Sequence, residues 1–186
     1  MRIISYAVNA DLQNLLTEYA VLAHQFRQKS PQFIAEAEVW LLKAEAVFKK
    51  HNFPDVSKLA RLSSSVAAAR RGHMQTEKTR NPRSEKQFQC WQFLNEGHDL
   101  LHRYFMTEQD KLERAEGLIA QLVVIAFQKK ILDIDTLNQG KVDANQAWQM
   151  LAAQQDFFGA TLQLKALISP IDIIILLDKV LDKVKN

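Results

Sequence analysis

The stretch DLQNLLTEYAVLAHQF, residues 11–26, sets Leu12, Leu15, Leu16, Tyr19, Leu22, Ala23 and Phe26 at steps of three and four residues. That spacing draws one apolar stripe along an α-helix and fits no strand, whose side chains alternate with a period of two. The same pattern recurs along the chain. Ser30-Pro31 reads as a cap followed by proline at the first helical position, opening a second helix to about His51 with Ile34, Ala37, Leu41, Leu42, Ala44 and Phe48 inward. Asp55 opens a third, to about Arg71, carrying Val56, Leu59, Leu62 and Val66. Its second half, Ser63-Ser-Ser-Val-Ala-Ala-Ala, is small enough for a neighbouring helix to approach closely.

Punctuation is scarce. The chain has five Gly and four Pro in 186 residues, under half the usual share of about 12%. Few turns mean long elements, and long elements are helices, because strands average about 5–6 residues. From Ser84 a fourth helix carries Phe88, Trp91, Leu94, His98, Leu101 and Phe105 on one stripe. Thr107-Glu-Gln-Asp110 resembles a capping signature, which favours a break or kink there over one helix running to about Lys130. A short segment ends at Gly140. Asp143 then caps a helix with Ala147, Leu151, Phe158 and Leu162 on one side, and Ser169-Pro170 opens the last helix. The expected fold is all-α: a compact bundle of about six or seven helices forming a single domain over residues 1–186.

The segment Gly72–Ser84 is the one long polar interruption, and it is expected as an exposed basic loop. It lies within the most charged part of the chain. Residues 49–86 hold ten basic residues against Asp55, Glu77 and Glu85, a balance of +7 in a chain whose net charge is +3. A concentrated basic segment attracts polyanions by releasing counterions from their phosphates, and arginine suits bidentate phosphate contacts. Arg70, Arg71, Lys78, Arg80 and Arg83 are therefore candidate contacts for a polyanion or an acidic protein partner. The loop carries no Phe, Tyr or Trp on which a base could stack.

The last helix is unusual in another way. Ile171, Ile173, Ile174, Ile175, Leu176, Leu177, Val180, Leu181 and Val184 cover most of its circumference. A helix apolar nearly all round fills a bundle centre or inserts into another chain. Ile173, Ile174, Leu177 and Leu181 are the candidate interface.

Motifs that carry chemistry are missing. Neither Gly-x-Gly-x-x-Gly nor Gly-x-x-x-x-Gly-Lys occurs, nor a Gly-x-Ser-x-Gly elbow. His98-Asp-Leu-Leu-His102 puts two imidazoles on one helical face, but nothing elsewhere supplies the second half of a di-iron set, and packed or surface histidines are the expectation. No catalytic residue, metal ligand or cofactor is assigned. The single cysteine, Cys90, excludes an intrachain disulfide and fits a reducing compartment. The N-terminus lacks the apolar core of a signal peptide, and the longest apolar runs, Leu118–Phe127 and Ile171–Leu177, fall short of the roughly 18 residues of a membrane span. These features predict a cytoplasmic, non-enzymatic helical interaction protein (adaptor, regulator or assembly subunit) that binds another protein or itself. The alternative is a nucleic-acid-binding accessory protein that uses the basic 49–86 region.

Overall fold

The computed structural model describes residues 4–72 and 82–185. The protein is all-α, with eight α-helices and no strand among the described residues: α1 (Ser5–Arg27), α2 (Phe33–Lys50), α3 (Val56–Arg70), α4 (Pro82–Gln128), α5 (Ile134–Asn138), α6 (Ala144–Ala152), α7 (Phe158–Leu167) and α8 (Pro170–Lys185). A single 3₁₀ turn, Gln155–Phe157, precedes α7. The buried residues form two clusters. They belong to two compact units, Val8–Met106 and Met1–Ala7 with Thr107–Asn186.

In the Val8–Met106 unit, the stripe of α1 buries Leu12, Leu15 and Leu22 against Phe33, Ala37, Trp40, Leu41, Ala44 and Phe48 of α2. Leu59, Leu62 and Val66 of α3 and Leu94 and Leu101 of α4 complete this core. The indole of Trp40 donates to the Leu15 carbonyl at 2.9 Å, so its one polar atom is satisfied in the interior. The small-residue run of α3 packs along α2, with Ser63 and Ala69 buried. Asp55 precedes α3 without capping it. Its carboxylate is taken by Lys58 at 2.7 Å and by the Tyr104 hydroxyl at 2.8 Å. Burial, reinforced by that carboxylate, pushes the Tyr104 phenol up to about 12.

Two carboxylates give this unit an acid limit. Burial opposes ionisation of Asp11, yet hydrogen bonds from Lys50 and His51, both at 2.7 Å, hold its carboxyl below the ordinary value of 3.8. Lys58 and then Tyr104 do the same for Asp55. A carboxyl depressed in the folded state adds stability above its unfolded pKa and loses it as pH falls through the folded one. Urea unfolding should therefore have a steady midpoint from neutral pH to about pH 5 and a falling one below about pH 4. Asp11→Asn should flatten that fall; an unchanged acid slope would show that Asp11 is not responsible.

The other unit is built from α5 to α8, the second half of α4 and the first residues of α1. Asp133 and Asp143 cap α5 and α6 as their types dictate, Asp143 in a capping box with Gln146. The helix expected to follow Asp143 without interruption instead breaks after Ala152 and resumes at Phe158. The rotation introduced by the break turns Phe158 and Leu162, expected inward, out to solvent at 66% and 57% exposure; Phe157, Thr161 and Leu164 are buried in their place. Asp172 joins both ends of the sequence. Fully buried, it accepts from the Ser5 and Tyr6 backbone N–H groups at 2.9 and 3.1 Å and from the Ser169 hydroxyl at 2.7 Å.

Thr107 does not break α4. One helix runs from Pro82 to Gln128. Neither glycine nor proline interrupts residues 98–116, and pairs at helical spacing, Glu108–Lys111 and Gln109–Glu113, support the region instead of capping it. Among the described residues no single helix is long and apolar enough to cross a membrane.

Candidate functional site

The residues marked by the sequence as an interface are largely core. Ile173 and Leu177 are fully buried, Leu181 is 1% exposed and Ile174 is half-buried, all within the unit that contains α8. The apolar excess of α8 is absorbed by its own unit, because α5, α6 and α7 cover it from several sides. What α8 leaves open lies further along. Val180 forms the floor of a surface groove and Val184, 43% exposed, one wall.

The opposite side of this groove comes from α4. Glu116, Ala120, Val123, Val124, Phe127 and Gln128 follow one another at steps of three, four and one, which keeps them on one helical face. Val123 is 1% exposed and belongs to the floor, whereas Val124 is 55% exposed at the rim. The groove has a volume of about 460 Å³, and α4 lines it for about three turns, roughly 18 Å. The one ion pair at its edge joins Lys183 to Glu116 at 2.6 Å. The hydrogen bond that Lys183 donates to Glu116 holds Lys183 above the ordinary lysine range. A lining of branched aliphatic residues with one ion pair at the rim offers burial of apolar surface rather than bond-making chemistry. A second hollow, between α1 and α2 at Val21, Val39 and Trp40, is crossed by the Lys43–Glu18 ion pair and is more polar.

The basic residues divide into two groups. Lys49, Lys50, Lys58, Arg61 and Arg70 each meet an acid of their own unit: Glu45 (2.5 Å), Asp11 (2.7 Å), Asp55 (2.7 Å), Glu96 (2.5 Å) and Glu38 (3.0 Å). Arg70, expected as a free contact, is thus engaged by α2. Arg71 and Arg83 are exposed and form no ion pair with a described residue; Lys78 and Arg80, with most of the expected basic loop, lie outside the described residues. The sequence balance of +7 counted only the segment itself, and acids from α1, α2 and α4 fold back onto it.

His98 and His102 are structural neighbours. The Tyr19 ring stacks on His98 with centroids 4.0 Å apart, His102 lies 6.0 Å beyond, and His98 Nδ1 is 3.3 Å from Asp99. The stack continues the other way through Trp91 to Phe26, whose rings are 4.6 Å apart and nearly parallel. Among the described residues no group of three or more His, Cys, Asp or Glu side chains is arranged to hold a metal ion. The α4–α8 groove was missed from sequence because Val124 and Val184 look like ordinary members of apolar runs. Compared with known protein families, curated proteins and solved structures, the chain matches none of them.

Proposed function

We propose that this protein is a non-enzymatic helical interaction module that seats an amphipathic helix of a partner protein in the α4–α8 groove. The observation that carries the reading is the pair of exposed valines, Val124 and Val184, facing a floor of buried Val123 and Val180. Two helices side by side leave a channel into which the side-chain ridge of a third fits, and the apolar length along α4 matches about three turns of such a ligand. The partner helix would present aliphatic residues at i, i+4 and i+7. A cytoplasmic setting is part of the proposal. Its support is Cys90, fully buried and pushed up to about 11 by that burial, a thiol with no disulfide partner in the chain.

The test is selection of binders from a displayed library of amphipathic 14-residue peptides, with the full-length protein as bait. Enriched peptides should carry the i, i+4, i+7 aliphatic pattern. Val124→Asp should weaken them about tenfold or more, since it removes a buried valine contact and sets a charge in an apolar groove. Val21→Asp, a change at a 58% exposed valine of the other unit, should leave them unaffected. No enrichment, or binders indifferent to Val124→Asp, would refute the groove. A concentration-dependent dimer weakened by Val124→Asp would mean that the occupant is a second copy, and the heterologous-partner reading would fall.

A further inference from the structure

Four cations of the Val8–Met106 unit, Lys29, Arg71, Arg83 and Lys86, form no ion pair with a described residue. Lys29, in the turn after α1, and Arg83, in the first turn of α4, line the same shallow cavity of about 230 Å³ with Ser84 and Gln87. Gln87 is 6% exposed, and its amide donates to the Ser30 carbonyl at 2.9 Å, which fastens the α1–α2 turn to the start of α4. Three residues further along α4 than Arg83, Lys86 Nζ comes within 3.9 Å of the position a Cβ would take on Gly72, next to Arg71. Lys29 and Arg83 thus share a cavity, Lys86 lies against Gly72 next to Arg71, and none of the four is ion-paired with a described residue. The five other cations of this unit that lie in residues 49–70 are neutralised by its acids.

The same stretch of α4 carries an exposed aromatic ring. Phe88, expected on the inward stripe of α4, is 53% exposed. It lies one turn beyond Ser84, a residue of the cavity wall, on the same side of the helix. The basic loop lacked an aromatic platform in sequence; tertiary structure supplies one from the helix that follows it. A run of cations that tracks a backbone and an exposed ring that takes a base are the two parts of a single-strand binding surface. An acidic protein would use the cations and leave Phe88 without a role.

We infer that this part of the Val8–Met106 unit binds single-stranded nucleic acid, with backbone phosphates on Lys29, Arg71, Arg83 and Lys86 and a base stacked on Phe88. The inference is independent of the α4–α8 groove, and either can fail alone.

The experiment is fluorescence anisotropy of a labelled oligouridine of about 12 nucleotides with the full-length protein, with a duplex of equal length and a poly-glutamate peptide as competitors. Four phosphate contacts on a single strand give a salt slope of about 3, so affinity should fall about fifty-fold between about 50 mM and about 200 mM salt. Lys29→Glu with Arg83→Glu should remove binding. Phe88→Ala should weaken it about tenfold, and Phe88→Trp should preserve it. Lys141→Glu, an exposed charge reversal in the other unit, is the control. Absence of binding at low salt would overturn the inference. So would equal loss in Lys141→Glu, or duplex or poly-glutamate competing as well as the single strand while Phe88→Ala changes nothing.

Discussion

Asp172→Ala should destabilise the protein by about 4 kcal/mol, the largest effect expected of a single substitution. The carboxylate is wholly buried and caps two helices at once. For α8 it completes a reciprocal box: the Ser169 hydroxyl accepts from the Asp172 N–H at 3.2 Å, and the Asp172 carboxylate accepts from the Ser169 N–H at 3.3 Å. For α1 it takes the first two N–H groups, those of Ser5 and Tyr6, from residues 167 and 166 positions away. Negative charge at two helix N-termini is favourable in itself. Alanine would leave Ser5, Tyr6 and Ser169 N–H groups without that acceptor, at about 1–3 kcal/mol for each one kept buried. In a chain of this size the melting temperature should drop by about 10 °C. Amide exchange at Ser5 and Tyr6 should speed up before the rest of the chain opens. A variant within about 1 kcal/mol of the parent would refute this role. Asp172→Asn should fall between the two, because it keeps one acceptor oxygen and turns an amide group towards donors.

The second large effect is expected at Gly97. A Cβ there would lie 2.9 Å from Leu41 Cδ2 and 3.3 Å from Trp40 Cζ3, with Leu62 Cδ1 at 3.7 Å. Leu41, Trp40 and Leu62 are all at most 1% exposed, so none has free volume to move into. Alanine gains about 1 kcal/mol of helix propensity and overpacks the site by about 1–3 kcal/mol, a net loss near 1 kcal/mol. Valine adds two further methyl groups and should cost about 3 kcal/mol. Gly117, on the same helix, is exposed and has nothing within 4 Å of such a Cβ. Gly117→Ala should therefore stabilise by about 0.5–1 kcal/mol. Chemical denaturation of the two alanine variants is decisive: shifts of the same sign would mean that the close approach at Gly97 does not control its identity.

The two glycines show where sequence reading stops. In sequence each is a weak helix former in an apolar-periodic stretch, and nothing local tells the two apart. In the fold one lies against two buried side chains of α2 and the other faces solvent, and α4 passes through both. The start of α1 is a similar case. The apolar stripe places it near Asn9 or Asp11, but it begins at Ser5, because the group that caps it comes from α8. No local pattern carries that information. Phe88, Phe158 and Leu162 fit the periodicity of an inward face and are nevertheless exposed. Periodicity locates a face without saying how much of it a neighbour covers.

The sequence by itself determined the all-α class, the caps at Asp143 and Ser169, and most core positions of the first three helices, although Leu42, expected inward, is 51% exposed and α2 starts at Phe33 without the Ser30-Pro31 cap. These depend on backbone propensity, hydrogen bonds spanning three or four residues, and a period of 3.6, all of them local. Tertiary structure alone decided the division into two units, the burial of Ile173, Leu177 and Leu181, and the α4–α8 groove. It also decided which cations are ion-paired, because Glu38 and Glu96, the acids that neutralise Arg70 and Arg61, are 32 and 35 residues away along the chain. Burial and ion pairing are set by what packs alongside, and that is a property of the folded neighbourhood rather than of any segment.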